Sequence, residues 1–184
     1  MSLPNALRSP FLRWGVLALI QLALIAVPLA DRLQVQMKGQ EVILNLIPVD
    51  PRDLLRGDYV ILNLEIGRVP AQLLKGGVGL EPGDTVYAGL EVTDSGAARV
   101  VRVTLTREEA GPLAIAGTYR SMSGGELNID YHIDAFYLPE GEGKEIERLP
   151  AKRIQVVVAV HPDGRALPLR LLVDGKAFKS DAAF

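Results

Sequence analysis

Hydrophobic and polar positions follow two different rules along this chain. Residues 14–30 form one unbroken uncharged run, Trp-Gly-Val-Leu-Ala-Leu-Ile-Gln-Leu-Ala-Leu-Ile-Ala-Val-Pro-Leu-Ala. At about 1.5 Å per residue it spans roughly 26 Å. Phe11 and Leu12 come just before it, and Arg13 can snorkel to lipid headgroups, so residues 11–30 supply the ~20 positions a membrane crossing needs. Gln21 is one tolerable polar group, and Pro28 near the exit removes one helix bond where the cost is small. A cleaved signal peptide would show small residues at the third and first positions before the cut. Cleavage after Ala30 places Pro28 at the third position, and cleavage after Ala26 places Leu24 there. A buried core helix would carry a polar face, and only Gln21 interrupts this one. The run fits an uncleaved single-pass anchor best.

Flanking charge orients that anchor. Arg8, Arg13 and the terminal amine precede the span, and no acid occurs in the first 30 residues; Asp31, Arg32 and Lys38 follow. The bias predicts an N-terminus inside and everything after Asp31 outside, which in a bacterial inner (cytoplasmic) membrane means the periplasm. Residues 31–38 either extend the membrane helix or link it to the first strand.

From Gln40 onward the period changes from helical to alternating. In 41–47, Val42, Leu44 and Leu46 share a face; in 59–66, Val60, Leu62, Leu64 and Ile66 do. Residues 85–92 read as another strand. In 99–106 the pattern turns Val101, Val103 and Leu105 inward and Arg102, Thr104 and Thr106 outward. Residues 154–160 carry apolar side chains on both faces, through Val157 and Ala159, and predict a central strand, with 167–173 following. Weaker strands are expected over 113–119 and 128–138. Turn signals punctuate these runs, among them Pro82-Gly83-Asp84, Gly124-Gly125, Gly141-Glu142-Gly143 and Asp174-Gly175, and Asp163-Gly164 is the best hairpin signal. About eight strands at this spacing predict a mainly β fold: one N-terminal transmembrane helix, then an antiparallel β-sandwich or barrel-like domain. The expected organisation is a cytoplasmic tip and anchor over 1–32, a juxtamembrane linker over 33–40 and an extracytoplasmic β domain over 41–184.

Composition narrows the chemistry. The 184 residues hold no Cys and two His, which excludes a disulfide scaffold, a thiolate metal site and a cysteine nucleophile, and makes a histidine-rich metal centre or other cofactor site unexpected. All 22 acids and 18 of the 20 bases follow Ala30, so the outer domain carries a net charge of −4, no footprint for nucleic acid.

Two polar stretches stand out. The first links two strands and runs Asp50-Pro51-Arg52-Asp53-Leu54-Leu55-Arg56-Gly57-Asp58-Tyr59. Its charges must pair or stay wet. It reads as a stiff β–β connection tied by Arg–Asp pairs, as a recognition surface on a rigid scaffold, or as a hard-oxygen cation site through Asp50, Asp53 and Asp58, although no calcium-loop spacing is present. The second runs Tyr137-Leu138-Pro139-Glu140-Gly141-Glu142-Gly143, with Glu147 soon after. It reads as a solvated acidic loop, or as a surface whose Glu140 meets Arg52 or Arg56 across the fold.

Together these blocks resemble the GDYXXLXY family of membrane-anchored proteins. The naming motif sits at Gly57-Asp58-Tyr59-Val60-Ile61-Leu62, and the resemblance extends through the Tyr137 block to Asp163-Gly164-Arg165 and Leu172-Val173-Asp174-Gly175-Lys176. The motif's last Tyr falls on Leu64, so an apolar inward side chain suffices there. The resemblance implies one N-terminal membrane helix, an extracytoplasmic domain and company with a multi-pass membrane protein; it implies no reaction.

A catalytic set is harder to assemble. A Pro-rich segment leading through Gly-Asp into a strand also occurs in membrane serine peptidases of the signal peptidase type, but residues 48–74 contain no Ser or Thr, and Lys38 and Lys75 are the only lysines before residue 100. Ser121 or Ser123 with His132 or His161 lacks a nucleophile-elbow setting. The carboxylates are scattered, and the single Trp lies in the anchor, which argues against a glycosidase. Arg56-Gly57-Asp58 leads straight into a strand, so Gly57 serves a turn rather than an adhesion signal. Two functions therefore stand. One is a membrane-tethered binding domain contacting a membrane protein or envelope component through Asp50, Arg52, Asp53, Arg56, Gly57, Asp58, Tyr59, Tyr137, Glu140, Gly141, Gly143, Glu147, Asp174 and Gly175. The other is a carboxylate-based ligand, metal or hydrolytic site in the same domain.

Overall fold

In a computed structural model of the chain, residues 10–47, 59–76, 79–137 and 149–180 are described. The apolar run is the body of one helix, α1, Pro10–Lys38, whose side chains through the span are exposed. It is long and apolar enough to cross a membrane. It ends at Gly39, whose amide donates to Val35 O at 2.8 Å. A Cβ at Gly39 would lie 2.5 Å from that oxygen and 2.9 Å from Ala159 Cβ, so only glycine lets the chain turn here against the sheet.

The remainder is mainly β, as the alternation predicts. The described residues form β1 (Gln40–Asn45), β2 (Tyr59–Ile61), β3 (Arg68–Pro70), β4 (Thr85–Val92), β5 (Ala98–Thr104), β6 (Ala114–Ser123), β7 (Glu126–Asp130), β8 (Ala135–Tyr137), β9 (Ile154–Val160), β10 (Ala166–Val173) and β11 (Lys176–Ser180). The strands order as β1-β9-β10-β11, β2-β8 and β3-β7-β6-β4-β5, and every ladder between named strands is antiparallel. A bridge at Ile43–Ala97 links β1 to the edge beside β5, and one at Leu46–Leu64 links the residue after β1 to the segment ahead of β3, which draws the two sheets toward a barrel. One core joins both walls, with Leu44, Val156, Val158 and Leu171 from one sheet and Val69, Val86, Val103, Ile115 and Leu127 from the other.

Eleven strands replace the expected eight for local reasons. The long 128–138 run is broken into β7 and β8 at His132, whose φ of 58° no strand accommodates. β3 and β11 are short and weakly patterned. Residues 62–66 keep the predicted inward face, with Leu62, Leu64 and Ile66 buried, but leave the ladder after Ile61 for a single 3-10 turn at Glu65–Gly67. The end of β5 is a correction, at Thr104 and Leu105. A bulge opposite Gly89 and Leu90 pairs them with Arg102 and Val100, leaving Val101 without a partner. Val103 is buried and Arg102 and Thr106 are exposed, as expected, but at the end of the strand Thr104 is buried as well and Leu105 is exposed. Thr104 tolerates burial because its hydroxyl donates to Thr106 O at 2.8 Å.

β9 is central, between β1 and β10. Its inner face, Ile154, Val156, Val158 and Val160, joins the core, while Ala159 on the outer face packs with Val35 of α1 and Leu169 of β10. The last two turns of α1 are thus part of the folded domain.

Candidate interaction surface

Strand register fixes which residues share an end of the molecule. β1 starts at Gln40 opposite Val160 and finishes at Asn45 opposite Gln155. β10 starts opposite Val160 and finishes at Val173 opposite Ile154. The end with Gln40, Val160 and Ala166 is the helix end, because Asp31 of α1 ion-pairs there with Arg165 in the β9–β10 hairpin. The end with Asn45, Ile154 and Val173 is the far end.

Three described segments meet at the far end. First, β1 continues to Ile47, whose amide donates to Asn63 O at 2.8 Å; the Leu62 amide donates to Asp134 O at 2.7 Å. Antiparallel pairing then carries β2 beyond Ile47, to Tyr59 directly opposite Tyr137 of β8. Phe136 points into the core at 1% exposure and its neighbour Tyr137 is 70% exposed, the alternation expected of a strand with one wet face. Second, Leu149 and Pro150 lead into a 3-10 turn, Ala151–Arg153, before β9. Third, Asp174 and Gly175 form the two-residue loop between Val173 and Lys176, with φ of 51° and 77°. Positive φ at both loop positions is the requirement of a tight hairpin turn that matches strand twist, which is why Asp-Gly occurs here.

Arg153 and Asp174 lock two of these segments together. The Arg153 Nε donates to both carboxylate oxygens at 2.9 and 3.2 Å, Nη2 donates to Oδ2, and the Asp174 amide donates to Arg153 O at 2.9 Å. The Arg153 hydrogen bond holds the Asp174 carboxyl below its ordinary range, and the same bond raises the guanidinium. Nearby on the outer face, Gln155 Nε2 donates to Asn45 Oδ1 and Asn45 Nδ2 donates to Glu65 Oε2, each at 2.9 Å.

Of the sequence-derived candidates, Tyr59, Tyr137, Asp174 and Gly175 lie among the described residues, and the register brings all four to this end. Asp50, Arg52, Asp53, Arg56, Gly57, Asp58, Glu140, Gly141, Gly143 and Glu147 lie outside the described residues, as does the Glu140–arginine pairing. Their described flanks, Ile47 and Tyr59 for one block and Tyr137 and Leu149 for the other, belong to the far end. Arg153 escaped the sequence reading. Its only sequence signal is a basic residue immediately before the central strand.

Two other polar clusters involve the histidines. Asp130 receives the His132 amide at 2.8 Å and the Arg120 Nη2 at 2.6 Å, and Thr118 Oγ1 lies 2.9 Å from His132 Nε2. Partial burial pushes the Asp130 carboxyl up, but the hydrogen bonds and charges of Arg120 and His132 outweigh it and hold the group below its usual range. Both Asp130 oxygens are engaged, and His132 Nδ1 stays 3.8 Å away, so the cluster is an exposed cross-strand network. Ser121 accepts from Asn128 Nδ2 at 3.1 Å, so His132 has Thr118 and not that serine as its hydroxyl partner. His161 Nδ1 lies 2.8 Å from Asp163 in the hairpin at the helix end. A cleft of about 340 Å³ opens at the barrel seam, where Glu65, Arg68, Thr93 and Arg99 rim an apolar floor of Ile66, Val69 and Ala97. Among the described residues, no three His, Asp or Glu side chains converge as a metal site would require.

A protein-family model described as "GDYXXLXY protein" matches residues 21–171 of the chain. No curated protein and no solved structure matches it.

Proposed function

The chain belongs to the GDYXXLXY family, and from that premise we propose that it is a membrane-anchored interaction domain that presents its far end to a membrane protein or envelope component. The observation that carries this reading is the register: the flanks of the Asp50 and Glu140 blocks and the Asp174–Gly175 turn share one end, opposite the docked helix. Charged segments on a rigid sheet are well suited to recognition, because the scaffold has already met the ordering cost. The helix is a single-pass inner-membrane anchor with its N-terminus inside, supported by Arg8 and Arg13 ahead of the span and no acid in the first 30 residues. Residues 1–32 are the tip and span, 33–40 the junction and 41–184 a periplasmic β domain. A multi-pass membrane protein is the partner class this arrangement suits best.

The test is site-specific photo-crosslinking in intact membranes. A benzophenone side chain at the exposed Tyr137 position should capture one defined membrane or envelope protein, and the same group at Glu108, on the turn after β5, should not. Asp58→Ala should reduce the capture several-fold while leaving the denaturation midpoint unchanged. Equal capture from both positions, or none from Tyr137, overturns the reading.

A further inference from the structure

β5 is an edge of the five-stranded sheet, and its outer side is closed at both ends and open between them. Isolated bridges hold the ends, Ile43 with Ala97 and Leu74 with Val103, and the Lys75 amide donates to Val103 O at 2.8 Å. Over 98–102, β5 has its ladder with β4 and, among the described residues, none on the other side. The Leu90 amide donates to Leu113 O at 2.8 Å, on the β6 side of β4, so Leu90 and Val100 face each other as a non-hydrogen-bonded pair. The N–H and C=O of Val100 therefore point away from β4, into the seam. The cleft of about 340 Å³ opens there, with β3 as its other wall.

The two walls alternate in the same way. Val69 of β3 and Ala98 of β5 are buried and Val100 is half-buried, whereas Arg68, Pro70 and Arg99 are exposed. The backbone on offer is unequal. The Arg68 amide is already given to Glu65 O and Pro70 has no N–H, so β5 is the wall that can bond a further strand. The rim is cationic at its centre. Arg68 has no ion pair among the described residues, and Arg99 has an exposed one with Glu91 at 3.1 Å. Glu65, the acid on the rim, is held by Asn45 Nδ2.

We propose that the seam takes an extended acidic segment of a partner protein, added as a short strand to β5. Val100 supplies backbone hydrogen bonds, alternate apolar side chains of the segment turn in toward Val69 and Ile66, and the acids between them turn out toward Arg68 and Arg99. The stretch over 98–102 is about 16 Å long, which suits about five residues. The bulge at Val101 keeps the added strand that short. Assigning the segment to a partner rests on the interaction-domain reading.

The probe is an end-blocked, fluorescein-labelled peptide, Val-Glu-Val-Glu-Val. It is titrated with the full chain in a nonionic detergent and followed by anisotropy against micelles alone. Saturable binding is expected, several-fold weaker for Val-Lys-Val-Lys-Val. It should also be several-fold weaker for the acidic peptide carrying N-methyl groups on two successive residues, which removes a backbone donor from each edge and no charge. Arg68→Glu should reverse the preference between the acidic and basic peptides, with the denaturation midpoint unchanged at this exposed position. Absence of saturable binding, equal binding of the basic or the N-methyl peptide, or an unreversed preference in Arg68→Glu overturns the proposal. The assay needs no partner. Peptide binding without capture from Tyr137 would sink the far-end reading alone, and capture without peptide binding would sink the seam proposal alone.

Discussion

The two ends of the four-stranded sheet solve opposite problems. At the helix end, side chains close the structure. Val35 packs with Ala159 and Leu169, Gly39 brings the backbone against Ala159, and Asp31 pairs with Arg165, which also grips Asp163. Arg107 alone satisfies three carbonyls, those of Pro162 at 2.7 Å, Gly111 at 2.5 Å and Pro112 at 3.0 Å. At the far end, among the described residues, closure comes from the three-residue β2–β8 ladder, the Arg153–Asp174 pair and a hairpin turn, and the described flanks of the two most charged blocks lie there. One end holds the last turns of the helix against the sheet; the other ends in hairpin and ladder connections. The last two turns of the helix are therefore part of the scaffold, at the opposite end of the sheet from the Asp174–Gly175 turn.

The strongest challenge to this contrast is Phe136→Ala. If the β2–β8 ladder were merely appended, the loss would be small. Phe136 is 1% exposed and part of the common core, so truncation should cost about 3–5 kcal/mol, read as a fall in the denaturant midpoint of the detergent-solubilised chain. A cost under about 1 kcal/mol would show that the far end is not anchored in the core.

Gly39→Val attacks the other end. Its side chain would meet a backbone oxygen and Ala159, neither of which can yield cheaply, so a loss of about 1–3 kcal/mol is expected. The specific sign is faster tryptic cleavage at Lys38 as the helix leaves the sheet. Unchanged cleavage would mean the docking does not depend on this contact. A smaller effect, about 1–2 kcal/mol, is expected for Arg107→Ala, because three carbonyls lose their donor but remain partly open to water. The loss should be confined to the helix-end turns, seen as faster amide exchange at Gly164 and His161 with Tyr59 and Tyr137 unaffected.

Much of this contrast was legible in the residues, and the illegible parts have physical causes. The helix, the strands over 85–92 and 154–160, the Asp163–Gly164 hairpin and the two-faced burial of β9 follow from periodicity, because burial acts on every second side chain. The bulge at Val101 has no composition signal, and alternation says nothing about Leu105, which lies past the end of β5. The split at His132 was lost because a positive φ on a non-glycine residue has no reliable signature. The candidate blocks were found through their charges, but the common end of their described flanks is a property of register between strands more than a hundred residues apart, such as Asn45 and Gln155. Periodicity along one strand says nothing about which neighbour it meets.

Asp174→Asn is the smallest change and separates two roles that coincide at one residue. Asparagine tolerates the left-handed backbone at this position, so the turn survives and only the charge paired with Arg153 is lost. Both partners are exposed, and pairs of that kind contribute little. The pH dependence has a definite sign. The folded Asp174 carboxyl is held below its ordinary 3.8, so its contribution is present above that value and disappears as pH falls through the lower folded value. The midpoint difference between wild type and Asp174→Asn should therefore be small and constant near neutrality and close to zero in strong acid. A difference that grows on acidification would show that Arg153 is not the partner that matters. The same variant then reads function. If capture from the Tyr137 position falls several-fold while the midpoint holds, the partner contacts the Asp174 carboxylate. If capture is unchanged, Asp174 and Gly175 serve the far end only by turning the chain, and recognition rests on other residues.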